Sequence, residues 1–148
     1  MQTVQRYLPA VFRYLLGLIF FVFGLNGFLH FLPQPPMEGA AGAFIGALVA
    51  SGYMFPVVKA VETVVGLMLL SNRFVPLALT LLAPISINIF LFHTLLTPPN
   101  PIAFLVLIGN VYLGWAYRDA FRPMLAMSAK PAVPQAAPSA AAVARAAA

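Results

Sequence analysis

The chain has 148 residues, of which 62% are hydrophobic and 7% charged, with a net charge of +5 and no cysteine. A soluble domain is ~25% charged, and a fold of this size has no way to hide so much apolar surface, so the composition excludes an ordinary soluble domain and makes a membrane the solvent. The missing cysteines exclude disulfides, CxxC redox pairs, iron–sulfur clusters and c-type haem, and Lys/Arg residues that flank apolar runs instead of forming a polar face argue against nucleic acid as a partner.

Residues 1–10 read as a short cytoplasmic N-terminus. The first apolar span, residues 11–32, is VFRYLLGLIFFVFGLNGFLHFL. It exceeds the ~7–15 apolar residues of a signal-peptide core, and no A-x-A-like site follows, so it predicts a retained transmembrane helix. PQPPMEG then predicts a stiff, polyproline-prone connection. AAGAFIGALVASG predicts an apolar helix too short to cross, lying along the outer interface or dipping in to cap the bundle. Gly52 ends it, and Pro56 suits the first turn of the next helix.

The second span covers residues 55–70, the third 74–96 and the fourth 102–117. A hydrocarbon core ~30 Å thick needs ~20 helical residues, so the second and fourth recruit neighbours at their ends. The tight Asn72-Arg73 turn makes spans two and three antiparallel neighbours, and TPPNP does the same for spans three and four. Beyond Pro123 the sequence is Ala/Pro-rich, which predicts a disordered cytoplasmic tail over residues 120–148 with a short helix near SAAAVARAAA.

The expected fold is therefore all-α: a four-transmembrane-helix bundle over residues 11–119, with an extracytoplasmic interfacial helix between helices 1 and 2. Arg6, Arg13, Arg73, Arg118, Arg122 and Lys130 sit at one set of span ends, while residues 33–53 and 97–101 contain no Lys or Arg. The positive-inside rule then places both termini in the cytoplasm. Gly17, Gly24, Gly27 and Gly66 predict close helix packing, and Trp115 and Tyr117 an aromatic belt at the inner boundary.

Seven strongly polar residues fall inside the spans: Asn26, His30, Lys59, Glu62, Asn88, His93 and Asn110. A charge at the bilayer centre costs ~2.5–3.5 kcal/mol, so such residues have partners and often mark function. At ~1.5 Å rise per residue, all seven fall in the outer half of the bilayer, from roughly 3 Å below the surface for His30 to about 13 Å for Asn88 and Asn110. Asn26 and His30 share one side of helix 1, as do Lys59, Glu62 and Gly66 on helix 2. Asn88 and His93 diverge by ~140° on a regular helix, and Pro84 leaves their mutual orientation open. Lys59 and Glu62 form an i,i+3 ion pair. Either that pair only orders the bundle, or it joins the histidines around a polar pocket, or it faces another subunit. Two histidines are also the ligand count of a bis-histidine haem, which needs both at matched depth on one cavity; interfacial hydrogen bonding and proton handling are the other roles open to them.

The chain resembles the DoxX family of small four-helix membrane proteins. The resemblance rests on RYLLGLIFFVFGLNGFLHF, FIGALVASGYMFPVVKAVETVVGLMLL and RFVPLALTLLAPISINIFLFHTLL, with K-x-x-E-x-x-x-G-L before a basic turn as its most characteristic part, and covers residues 13–117. The family takes its name from the membrane subunit of an archaeal thiosulfate:quinone oxidoreductase. The resemblance implies a bacterial inner-membrane protein serving a quinone-linked redox complex, and it matches Asn26, Lys59, Glu62, Asn88 and His93 to the family's polar pattern. On that reading Glu62 and His93 carry proton chemistry, and Asn26, His30, Lys59, Asn88 and Asn110 bind. The ligand is a quinone, the partners are the lipid bilayer and redox subunits, and no metal is expected. The alternative is a non-enzymatic scaffold or small-ligand carrier with a structural Lys–Glu pair.

Overall fold

The computed structural model describes residues 2–33 and 36–128, with side chains from Tyr7 onward. Lys130, the helix expected near the C-terminus and the tail beyond residue 128 lie outside the described residues, as do residues 34 and 35 of the proline-rich connection. The described residues are all-helical, with no strand. In order they form α1 (Gln2–Leu29), α2 (Gly39–Ala50), α3 (Met54–Leu70), α4 (Val75–Leu95), α5 (Pro101–Ala116) and a last turn α6 (Arg118–Phe121).

Local chemistry sets the boundaries. α1 stops where His30 takes a left-handed backbone at φ 51°, a conformation that histidine visits more readily than most residues. Asn26 Oδ1 then accepts from the Leu32 amide at 2.6 Å, holding the chain as it leaves the helix. α3 ends in a Schellman motif: Asn72 is left-handed at φ 56°, its amide reaches the Leu69 carbonyl, and the Arg73 amide reaches that of Met68 at 3.0 Å. α5 begins with Asn100, whose Oδ1 accepts from the Ile102 amide at 2.9 Å, and with Pro101 in the first helical position. α4 runs unbroken through Pro84.

Tyr7–Leu29 and Val75–Leu95 are each long and apolar enough to cross a membrane. α2 and α3 pass that test only together, and they meet at a 91° bend. α5 is a shorter apolar helix. The long helices close into a ring: α1 packs on α3, α3 on α4, α4 on α5, and α5 back on α1. Glycines set the closest of these contacts. A Cβ on Gly24 would fall 2.6 Å from the Thr63 amide nitrogen, and one on Gly66 would fall 2.7 Å from Phe21 Cα, so backbone meets backbone along α1 and α3.

The bundle is solid at one end only. Its fully buried apolar residues include Leu16 of α1, Val65 and Leu69 of α3, Leu82 of α4 and Leu113 of α5. Because neighbouring helices run antiparallel, these positions fall at the end that carries the α3–α4 turn. Large apolar side chains such as Leu18, Leu67, Ile108 and Val111 point outward, as lipid-facing positions do. Phe121 of α6 packs against the core, so ordered structure extends just past the expected domain limit of residue 119.

Candidate functional site

At the other end the helices splay around a cavity of about 770 Å³ to which α1 through α5 all contribute. Most of its wall is apolar, with Phe20, Phe23, Phe55, Ile85 and Val106 among the lining residues. Asn26, His30, Lys59, Glu62, Asn88 and His93 also line it, which brings together six of the seven residues selected from sequence. α2 closes the top with Gly42, Phe44, Ile45 and Leu48, and its Phe44 ring lies 5.8 Å from that of Phe92 on α4. The helix expected at the interface thus forms part of the cavity wall.

Each polar residue reaches the cavity from a definable place. Lys59 and Glu62 stand one turn apart on α3, with Nζ 2.8 Å from Oε2. The Glu62 side chain is 6% exposed and that of Lys59 20%, so the carboxylate is the deeper partner. The ammonium also lies 5.5 Å from the centre of the Phe55 ring, a cation–π contact. One carboxylate oxygen and two ammonium N–H groups have no partner among the described residues.

On α4 the lining residues form two rows, Pro84/Asn88/Phe92 and Ile85/Ile89/His93. This is how two residues five apart share one cavity: the space wraps around the helix and touches both rows. His93 Nδ1 is 2.9 Å from Thr97 Oγ1, which fixes the ring from the helix end and leaves Nε2 unbonded among the described residues. Asn26 is buried, and its Oδ1 is committed to the Leu32 amide. His30 lies at the exposed rim.

Asn110 belongs elsewhere. Its Nδ2 donates to Ser86 Oγ at 3.0 Å, a buried bond that ties α5 to α4. It lines a separate apolar groove of about 340 Å³ on that flank and not the polar cavity. Rise per residue puts Asn110 level with Asn88, but depth does not fix the direction in which a side chain points. Two contributors were missed from sequence. Asn100 lines the cavity from the start of α5, where TPPNP reads in the sequence only as a tight turn. Gly27 lines it beside Lys59.

Chemically the site offers ammonium donors, a carboxylate acceptor, two imidazoles and amides within an apolar chamber. That combination suits a ligand with an apolar body and an oxygen-bearing polar end. Among the described residues, no three His, Asp or Glu side chains cluster as metal ligands do. No family model matches the chain, and neither does any curated protein or solved structure.

Proposed function

We propose that the chain is a DoxX-like protein of a bacterial inner membrane, in which α1, α3, α4 and α5 are four spans and the cavity receives the headgroup of a quinone for a partner redox subunit. The observation that carries this reading is the convergence of Lys59, Glu62, Asn88, His93 and Asn26 on one largely apolar chamber. Polar groups in a membrane bundle are costly unless partnered, and a packed core would suffice if anchoring were their only purpose.

Charge distribution supports the orientation. The loops at the cavity end carry no Lys or Arg, whereas Arg13, Arg73, Arg118 and Arg122 lie toward the packed end. The cavity therefore faces outward and both termini face the cytoplasm. At 1.5 Å per residue the 17 residues of α3 reach about 25 Å. The 16 of α5 reach about 24 Å, so both span with flanking residues or local thinning.

Lys59 meets a quinone oxygen, while Glu62 and His93 exchange protons with it as it passes between oxidised and reduced forms. The chain has no cysteine, so the two electrons pass to or from a partner's redox centre. Purified in detergent and extracted with organic solvent, the wild-type protein yields quinone identifiable by its ultraviolet spectrum. Glu62→Gln, which keeps a side-chain oxygen beside Lys59 but removes the counter-charge, stays folded with a somewhat lower thermal midpoint and loses most of that quinone. An extract without quinone, or one unchanged by Glu62→Gln, leaves the second reading: a scaffold or carrier whose Lys59 and Glu62 serve each other, as their 2.8 Å contact favours.

A further inference from the structure

The Lys59 stem has an uncommon neighbour. A Cβ on Gly27 of α1 would fall 2.6 Å from Lys59 Cδ and 2.9 Å from its Cβ. The side chain therefore lies in a slot that exists only because position 27 has no side chain. Three residues earlier, Gly24 admits the backbone of Glu62 and Thr63 against α1. Gly24 sets how closely α1 approaches α3 at the carboxylate, and Gly27, on the next turn, gives the lysine stem its channel. Thr63 Oγ1 donates to the Lys59 carbonyl at 2.8 Å, bracing the same turn of α3.

We propose that Gly27 is a positioning residue: it confines the Lys59 stem so that the ammonium rests on Glu62 with its remaining N–H groups turned to a ligand oxygen in the cavity. The inference rests on reading the cavity as a ligand site. An unconfined lysine near a span end extends toward the interface, where its head is hydrated. The glycine slot holds it down instead, against the deeper carboxylate. The bundle thereby keeps a charged donor at a fixed height inside an apolar chamber, where a hydrogen bond to a ligand oxygen is strong.

The test uses the full chain in detergent micelles with Lys130→Arg, which leaves Lys59 as the sole lysine. Two quantities are read: the rate at which N-succinimidyl acetate acylates Lys59, followed by peptide mass spectrometry, and the affinity for a decyl-substituted benzoquinone by equilibrium dialysis. With Gly27→Ala, Lys59 leaves Glu62, acylation quickens about tenfold and quinone affinity falls by about as much. Unchanged acylation overturns the proposal, whatever the affinity does. Faster acylation in a protein whose parent binds no benzoquinone upholds the positioning role and removes the quinone reading. Should Gly27→Ala not fold, Gly27→Ala/Lys59→Ala/Glu62→Leu decides, because it empties the slot without leaving a lone buried charge: recovered folding supports the slot, and continued failure overturns it.

Discussion

Arg13 is 5% exposed, and its guanidinium donates to the carbonyls of Leu69 and Leu70 at the end of α3. The Leu69 carbonyl already accepts from the Asn72 amide and that of Leu70 has no backbone donor among the described residues, so the arginine completes this helix end from α1. It also lies 4.3 Å from the centre of the Tyr14 ring. Hydrogen bonds to charged groups contribute about 1.5–3 kcal/mol, and Arg13→Leu is expected to lose that much stability in detergent unfolding, with Arg13→Lys recovering only part because an ammonium is not a planar fork. The sequence shows Arg13 only as a cation at the start of an apolar run. Its partner lies 56 positions away, so its burial was not legible locally. Lys59 and Glu62 were legible because they are neighbours on one helix. Glu62→Leu or Lys59→Met alone leaves the other charge uncompensated and costs about 2–3 kcal/mol, discounted because Lys59 is partly exposed. The double variant Lys59→Met/Glu62→Leu returns close to wild-type stability without binding ligand, and a double-mutant cycle with quinone extraction checks both statements.

The boundaries of α3, α4 and α5 were read well because their signals are local, whereas α1 runs from Gln2 to Leu29 where a span over residues 11–32 was expected, and His30 lies beyond its end. Asn72-Arg73 makes a Schellman turn and Asn100-Pro101 caps α5, so α4 and α5 start and stop within a residue or so of the expected limits. The face each helix presents was harder to read. Asn110 turns to Ser86 because α4 and α5 lean together there, which spacing within α5 does not reveal. The glycines separate the two kinds of information. Gly66→Ala pushes a methyl into the backbone of α1 at Phe21, where overpacking costs about 1–3 kcal/mol. A Cβ on Gly114 meets nothing within 4 Å, so Gly114→Ala is neutral or gains a few tenths of a kcal/mol from helix propensity. Thermal unfolding of the two variants side by side tests whether α1–α3 contact holds the bundle.

For the molecule as a whole, the absence of native cysteine makes topology directly measurable. Ser51→Cys, between α2 and α3, reacts with a membrane-impermeant maleimide in intact spheroplasts. Ser71→Cys, at the α3–α4 turn, reacts only after the membrane is opened. Equal reaction at both excludes α3 as a span, and the reverse pattern overturns the proposed orientation. The concentration of polarity toward one end was legible from span direction and rise per residue. The chamber itself was not, because it forms where α1, α3, α4 and α5 separate and α2 folds across them, a product of all five helices together.

The layer of Leu16, Val65, Leu69, Leu82 and Leu113 has a consequence for bioenergetics. In the proposed orientation, water reaching Glu62 from outside would meet a floor of hydrocarbon several side chains thick before the cytoplasm. Protons exchanged there return to the side they came from, and the cell's electrochemical gradient is not drained by keeping ionisable groups so deep. Liposomes loaded with the protein should hold an imposed pH difference as long as empty ones do.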